Sequence, residues 1–284
     1  MNEKITILVN SCDKYEDAWY PFFECLWHFA GELPYPIVLN TEKKQYHDAH
    51  YQVHCVNQLR SLHPTWSKRL LHVLDEVETE YIFFLLEDYF LKDVFDRDRL
   101  AKVVGYMESH PDVALVDVGP HWASTPEEAE SNRREDGNIA DDFVERNKAS
   151  FNITCTPGVW RVSAMKDILR PYEDVWDFEI YSGIRAKKLG WKVVRYVTRT
   201  PAIYQYDDQI WGSGMGITGG HWLPNNKPFF ESLGIRGVNY DRLGIMEAAS
   251  MEEVRKKNRS NPFVMLKKIP RKIRKRLTRK KSLQ

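Results

Sequence analysis

The chain has 284 residues, of which 43% are hydrophobic and 29% charged, a composition typical of a globular protein with a sizeable apolar core. Its longest apolar run, Tyr81 to Leu86, is far too short to span a bilayer, which excludes that run as a membrane span. The net charge of +1 hides an asymmetry: Lys267 to Lys281 holds ten Lys or Arg and no acid, so the rest of the chain is net acidic and offers no continuous basic face for nucleic acid.

The first half of the chain alternates short apolar segments with segments of helical periodicity. Strands are predicted at Ile5 to Val9, Ile37 to Leu39, His54 to Val56, Tyr81 to Leu86 and Val113 to Val118, and helices at Tyr15 to Phe29, Ser67 to Val77 and Arg97 to Ser109. A fully apolar strand is typical of a parallel sheet that is buried on both faces. The alternation therefore predicts an α/β fold with a mostly parallel central sheet and helices on both faces.

The second half of the chain is less regular. From Gly119 to Ser150 the sequence is polar and charged, which indicates a functional loop or a disordered stretch. Regular structure is expected to resume near Gly158, followed by a helix at Ser163 to Leu169, a second helix at Phe178 to Lys188, a strand at Lys192 to Tyr196 and a glycine-rich run at Gly212 to Gly220.

Cysteine usage and the two ends of the chain bear on location. None of the four cysteines has C-x-x-C or zinc-finger spacing, so we expect reduced thiols in a cytoplasmic protein. The N-terminus runs directly into a strand pattern, and no signal peptide is expected. In the basic tail, apolar residues recur every fourth position from Ile269 to Leu277, which favours a helix lying on an anionic membrane surface over a solvated, disordered tail.

The strongest local signal is the acidic pair Glu87 and Asp88, directly after the apolar strand. Acids at the end of a central strand lie at the carboxyl edge of the sheet, where open α/β folds bind ligands. A hard cation such as Mg²⁺ or Mn²⁺ commonly takes one or two carboxylates there, with substrate phosphates completing its ligands. The alternative is that the two acids begin a solvated loop or cap a helix.

Two further segments are expected near that edge. Ser11 and Asp13 follow the first strand, where they either meet a nucleotide or cap the next helix. Lys68 and Arg69 open the second helix, with Ser67 as its predicted N-cap, and either contact phosphate oxygens or are surface charges. The one G-x-G-x-x-G match, Gly214 to Gly219, lies late in the chain and does not directly follow a predicted strand, which disfavours a dehydrogenase-type dinucleotide site. No G-x-x-x-x-G-K-[ST] occurs, which excludes a P-loop.

Three polar residues of the second half are candidates for chemistry. Asp177 and Glu179 precede or begin a helix, and either one is suited to accept a proton from a hydroxyl group, the alternative being acids placed favourably at a helix N-terminus. His221 follows Gly219 and Gly220, where it either joins carboxylates at a metal or is structural.

In this order, the motifs resemble those of the GT-A glycosyltransferases, especially bacterial enzymes that assemble capsule and surface polysaccharide. The resemblance covers roughly Ile5 to Trp222 and is carried by ITILVNSCD, FFLLEDY, WDFE and GGHW. It implies one GT-A-like catalytic domain over residues 1–262, with a nucleotide-binding part at about 1–118 and an acceptor-side part at about 119–262, followed by the basic tail, 263–284. The family motif is usually Asp-any-Asp, whereas Tyr89 and Phe90 follow the acids here.

The resemblance also implies roles for the candidate residues. Ser11, Asp13, Lys68, Arg69 and Glu87 are expected to bind a nucleotide diphosphate sugar, Asp88 and His221 to hold Mn²⁺ or Mg²⁺, and Asp177 or Glu179 to act as the base. The expected acceptor is a glycan or a lipid-linked sugar, and the expected location is the cytoplasm, at the inner face of the membrane through the tail. The alternatives are a metal-dependent nucleotidyl- or phosphotransferase and a non-catalytic carbohydrate-binding protein.

Overall fold

The central sheet explains the apolar segments of the sequence. The computed structural model describes residues 4–59, 61–119, 142–146, 152–197, 202–206 and 216–247. Within these ranges the sheet has eight strands: β1 (Ile5–Asn10), β2 (Ile37–Thr41), β3 (Val53–Asn57), β4 (Tyr81–Leu86), β5 (Val113–Asp117), β6 (Asp142–Glu145), β7 (Gly158–Arg161) and β8 (Lys192–Val197).

The strand order is β3-β2-β1-β4-β7-β5-β8-β6. The pairs β3–β2, β2–β1, β1–β4 and β5–β8 are parallel, while β7 runs antiparallel to both its neighbours and β6 antiparallel to β8. The prediction of a mostly parallel α/β sheet is confirmed. Because β1 and β4 are adjacent and parallel, the turns that follow them meet at one edge of the sheet.

Helices cover both faces of the sheet, as predicted. The described helices are α1 (Trp19–Ala30), α2 (Trp66–Glu76), α3 (Arg97–Ser109), α4 (Val162–Ile168), α5 (Val175–Lys188) and α6 (Asn226–Ser232), with a 3-10 helix at Asp13–Ala18 before α1 and a small hairpin of β9 (Ile217–Thr218) and β10 (His221–Trp222) before α6. Apolar residues of α1, α3 and α6 share one core with Ile7 and Val9 of β1, whereas those of α2, α4 and α5 share the other with Leu8. This alternation along β1 follows from the two-residue period of a strand.

Two predicted helix starts need correction. The N-cap of α2 is Thr65 and not Ser67: the extended backbone of Thr65 lets its side chain accept a hydrogen bond from Lys68 N (3.2 Å), while Ser67 is buried inside the first turn. Similarly, α5 begins before the predicted Phe178, because Asp174 accepts from Asp177 N (2.8 Å) and caps the helix. Asp177 therefore lies in the first turn of α5.

Part of the polar stretch between Gly119 and Ser150 is regular after all. Its described portion includes β6, which pairs with β8 and packs Phe143 against Tyr106 with ring centroids 3.8 Å apart. Interpreting the whole stretch as an irregular loop was therefore wrong at β6. Residues 120–141 and 147–150, the glycine-rich positions up to 215 and the basic tail lie outside the described residues.

The cysteines and the possibility of a membrane-spanning helix can be compared with the structure. All four cysteines, Cys12, Cys25, Cys55 and Cys155, are free thiols. None of the helices in the described ranges is long and apolar enough to cross a membrane.

Candidate active site

The strand register brings the predicted polar residues of β1 and β4 to the same edge. Asn10, the last residue of β1, is level with Leu86, the last residue of β4, so that Ser11 and Glu87 leave the sheet side by side. On the adjacent strand, Asn40 Nδ2 donates to Asn10 Oδ1 (2.7 Å). The carboxyl edge of β2, β1 and β4 is therefore a row of polar groups, as expected for the binding edge of an open α/β sheet.

The acidic pair is buried at this edge. Glu87 is 7% exposed and Asp88 9%, and Asp88 Oδ2 accepts a hydrogen bond from Ile217 N (3.4 Å). Burial, and then the charge of Asp88, raise the pKa of Glu87 well above its ordinary value, and burial raises the pKa of Asp88 to about 7. Among the described residues no Lys or Arg forms an ion pair with either acid. Two neighbouring buried carboxylates without a cationic partner there fit a bound divalent cation, which would supply the missing opposite charge.

Ser11 lies against the acidic pair, whereas Asp13 serves another purpose. The Ser11 side chain is close enough to Glu87 to lower the pKa of that carboxyl group against the larger effect of burial, and its Oγ accepts a hydrogen bond from Trp19 Nε1 (2.7 Å). The carboxylate of Asp13 accepts from the backbone amides of Glu42 (2.9 Å) and Lys43 (3.0 Å) and so fastens the turn after β2. The structure thus places Ser11 where a ligand of the acidic edge would bind, and it shows Asp13 anchoring the backbone of that edge.

The β9–β10 hairpin is tied directly to the acidic pair. Gly216 N donates to Asp88 O (2.7 Å), and the next amide, Ile217 N, donates to the Asp88 carboxylate. A Cβ atom at Gly216 would overlap the ring of Phe90 and lie 2.9 Å from Asp88 O. Gly216 is therefore required for the close approach of the two segments, a physical reason for a glycine at the end of the glycine-rich run.

Replacing Gly216 with Ala is expected to destabilise the protein by about 1–3 kcal/mol, because the methyl group has to displace Phe90 or the backbone of Asp88. Urea denaturation measures the change. Gly105→Ala is the matched control: that glycine lies within α3 with nothing within 4 Å of a Cβ, so the exchange should stabilise by about 0.5–1 kcal/mol. Equal stability of Gly216→Ala and the wild-type protein would contradict the close approach.

His221 lies on this hairpin but outside the acidic pair. Its Nδ1 donates to Leu243 O (2.6 Å), because a carbonyl oxygen can only accept, and the neutral ring then carries its lone pair on Nε2. A Cβ at the preceding Gly220 would lie 3.6 Å from Lys14 Nζ. The described part of the chain contains no group of three or more His, Cys, Asp or Glu side chains positioned to share a metal, so His221 does not form one with Glu87 and Asp88.

Lys68 and Arg69 lie in the first turn of α2, which follows β3 and so begins on the carboxyl side of the sheet. The Arg69 guanidinium donates to the carbonyls of His63 (3.1 Å) and Pro64 (3.3 Å), and Lys68 is exposed. This turn contacts the start of α5, with Trp66 and Phe178 ring centroids 5.3 Å apart. The two cations thus lie on the carboxyl side of the sheet, with Arg69 held against its own loop.

Asp177 and Glu179 point in different directions, because residues two apart on a helix do not share a face. Glu179 Oε1 accepts a hydrogen bond from Cys155 N (2.8 Å), and burial raises the pKa of Glu179 to about 7. Asp177 is half-buried in the first turn of α5. A carboxyl group that titrates near neutral pH is suited to proton transfer, so Glu179 is the better candidate for a base.

Tyr89, which we did not predict from the sequence, connects the two acidic regions. It is 4% exposed, and its ring packs edge-on against Tyr206 with centroids 4.8 Å apart. Burial raises its phenol pKa well above the ordinary value, and the charges of Asp88 and Glu179 raise it further. Both carboxylates therefore lie within electrostatic reach of one hydroxyl group. The only signal in the sequence was the position of Tyr89 directly after the acids.

Comparisons with known proteins find distant structural similarity and no match in sequence. No protein-family model matches the chain, and no curated protein matches it in sequence. A solved structure of S. aureus TarS 1–349 is 12% identical, with 95% of this chain and 76% of that chain covered at a TM-score of 0.45; the same TarS fragment in complex with UDP is 14% identical at 0.43. A cytidylyltransferase from Leptospira borgpetersenii is 12% identical, with 91% and 96% of the chains covered at 0.44. At these values the similarities carry no argument about activity, which depends on the site.

Proposed function

We propose that the protein is a glycosyltransferase that moves a sugar from a nucleotide diphosphate donor to a glycan or lipid-linked acceptor, in bacterial surface polysaccharide synthesis. The observation that supports this most is the arrangement around Tyr89. The charges of Asp88 and of the separately held Glu179 both raise the pKa of the Tyr89 phenol, so two acidic centres with different surroundings lie near one side chain. Sugar transfer from such a donor needs two centres of this kind, one at the leaving diphosphate and one at the acceptor hydroxyl.

On the donor side, Asp88 and Glu87 would hold Mg²⁺ or Mn²⁺. The cation, when bound, supplies positive charge that offsets the charge developing on the departing diphosphate. Ser11, close to Glu87, would contact the nucleotide, and Lys68 and Arg69, in the first turn of α2, would contact its phosphate oxygens. His221 was predicted as a metal ligand, but it does not group with the two acids among the described residues, so its Nε2 would instead contact the diphosphate.

On the acceptor side, Glu179 takes the proton. The acceptor oxygen forms a bond to the anomeric carbon while the bond from that carbon to the diphosphate oxygen breaks, and the hydroxyl proton passes to the Glu179 carboxylate. With Oε1 held by Cys155 N, the second oxygen has no partner among the described residues and is available for this proton. General base catalysis of this kind contributes about 10²–10⁴-fold. Asp177, half-buried in the first turn of α5, is the less suited of the two predicted bases.

The proposal is tested by the product released. The full-length protein is incubated with labelled UDP-, GDP- and CMP-sugars, with Mn²⁺ or Mg²⁺ present, and the products are separated by chromatography. We expect the nucleotide of one donor to be released as the sugar is transferred or hydrolysed. Release of pyrophosphate on incubation with CTP or UTP and a free sugar would instead show a nucleotidyltransferase, and binding of sugars with no donor consumed would show a carbohydrate-binding protein.

The remaining expectations concern location. A protein whose acceptor is lipid-linked would work at the inner face of the cytoplasmic membrane, and the basic tail, residues 263–284, would hold it there by attraction to anionic lipids. Co-sedimentation with vesicles containing anionic lipid, with and without the tail, tests this part separately.

A further inference from the structure

One flank of α5 leads from the interior to the carboxyl edge of the sheet. Trp176, Glu179 and Gly183 lie along it at spacings of three and four residues, which places them on one side of the helix. A Cβ at Gly183 would lie 2.7 Å from Asn152 Cβ, and Glu179 accepts from Cys155 N. The chain from Asn152 to Cys155 therefore runs along this flank towards the start of α5.

That segment ends at the carboxyl edge. Pro157 O accepts a hydrogen bond from Val118 N (3.2 Å), just after β5, and β7 then begins at Gly158. Trp176 is one turn beyond Glu179 in the same direction and on the same side of the helix, which places it nearer this edge than the proposed base.

Trp176 is exposed to an unusual degree for its type. Its exposed fraction is 58%, whereas Trp160 and Trp222 are fully buried, and within the described ranges it packs against no other ring. An exposed indole leaves a large flat apolar surface in water, a cost that a bound ligand would remove.

Hydroxyl groups accompany this apolar surface. The Thr154 and Thr156 side chains, both partly exposed, share a hydrogen bond (2.9 Å) on the segment that follows the flank. The hydroxyl of Tyr89, a side chain more than nine-tenths buried, has no hydrogen-bond partner among the described residues and lies within electrostatic reach of Glu179. An apolar face beside several hydroxyl groups and a carboxylate matches a pyranose ring, which has apolar C–H faces and a rim of hydroxyls.

We propose that Trp176, Tyr89 and Glu179 form an acceptor subsite for a saccharide, in which a pyranose ring stacks on the Trp176 indole and presents one hydroxyl group to Glu179. The acceptor end that reacts is then a sugar ring, not the hydroxyl of a lipid or a peptide. This inference rests on the proposed function, because it assigns the acceptor of the same reaction. Trp176 is a binding residue in it, and the proton transfer remains with Glu179.

The test measures saccharide binding by the full-length protein on an array of mono- and oligosaccharides, with UDP and Mn²⁺ present. Trp176→Ala should weaken binding about tenfold, which corresponds to a loss of about 1.4 kcal/mol of ring stacking, and Trp176→Phe should restore part of it. Leu189→Ala is the matched control, since Leu189 is 50% exposed just beyond the other end of α5. Thermal unfolding verifies that each variant is folded.

Three results would overturn the subsite: no saccharide bound by the wild-type protein, equal binding by Trp176→Ala, or an equal loss in Leu189→Ala. Failure of the proposed function is distinguishable, because it is measured separately, as donor consumption by the wild-type protein in the absence of any acceptor. A protein that binds saccharides through Trp176 but consumes no donor would support the subsite and contradict the glycosyltransferase.

Discussion

Asp88→Asn is expected to lower sugar transfer by at least about 10²–10³-fold while the protein remains folded. The amide is the same size as the carboxyl group and keeps an oxygen that can accept from Ile217 N, so the tie to the β9–β10 hairpin survives. What is lost is the charge that would hold the cation and thereby offset the departing diphosphate. The measurement is the rate of nucleotide release from the active donor at saturating Mn²⁺.

Asp88→Asn also has an expected effect on the thermal stability of the metal-free protein. Burial raises the pKa of Asp88 to about 7 from an ordinary value of 3.8, so the folded state binds the proton more tightly than the unfolded state. The stability that this group contributes is present below about pH 4 and is lost as the pH rises to about 7. Without metal at pH 8, Asp88→Asn should therefore melt no lower than the wild-type protein.

Asp98→Asn is the control for this experiment, because Asp98 is exposed in the first turn of α3. It should leave both the transfer rate and the response to Mn²⁺ unchanged. Wild-type turnover by Asp88→Asn would remove Asp88 from the site, and a large loss of stability would show that its carboxylate is structural.

Glu179→Gln is expected to lower transfer by about 10²–10⁴-fold, with little change in donor binding. The amide cannot take a proton from the acceptor, although its oxygen can still accept from Cys155 N, so the local structure should be retained. Steady-state kinetics on the wild-type protein and the variant separate the two effects: kcat falls, and the dissociation constant of the donor nucleotide stays constant. Asp177→Asn, two residues away and half-buried, is the matched control and should retain most of the activity.

The raised pKa of Glu179 predicts that the transfer rate depends on pH. Burial raises its pKa to about 7, and only the ionised carboxylate can act as a base, so the wild-type rate should fall about tenfold per pH unit below 7 and level off above it. The measurement is kcat/KM between pH 5.5 and 9 at saturating Mn²⁺, where bound cation keeps Asp88 ionised. Residual activity of Glu179→Gln should lack this dependence. A rate that is flat across pH 7 in the wild-type protein would assign the base elsewhere.

Much of the fold follows from local patterns. The apolar run from Tyr81 to Leu86 and the helix from Arg97 to Ser109 match β4 and α3 at both ends, because a strand buried on both faces and an amphipathic helix have strong periodic signals. In contrast, β7 has only four residues and pairs antiparallel between β4 and β5, which no local pattern specifies. The start of α2 was misplaced because Thr65 and Ser67 are both good capping residues, and only the backbone decides between them.

The site was predictable where it depends on strand ends. Glu87, Asp88 and Ser11 meet because parallel neighbouring strands end at one edge, a consequence of topology that the sequence indicates. Asp13 was assigned to the nucleotide, but its carboxylate is bound by amides after β2, a long-range contact with no sequence signal. Tyr89 and the exposure of Trp176 depend on packing against residues distant in sequence, so neither was predictable.

The central claim is that the buried acids at the end of β4 bind a cation together with a nucleoside diphosphate. Isothermal titration of UDP, GDP and CDP into the wild-type protein and Asp88→Asn, each with Mn²⁺ and after chelation with EDTA, tests it most directly. We predict that Mn²⁺ tightens the binding of one nucleotide to the wild-type protein at least tenfold and has no effect on Asp88→Asn. Equal enhancement in both proteins, or no nucleotide bound by the wild-type protein under either condition, would contradict the account.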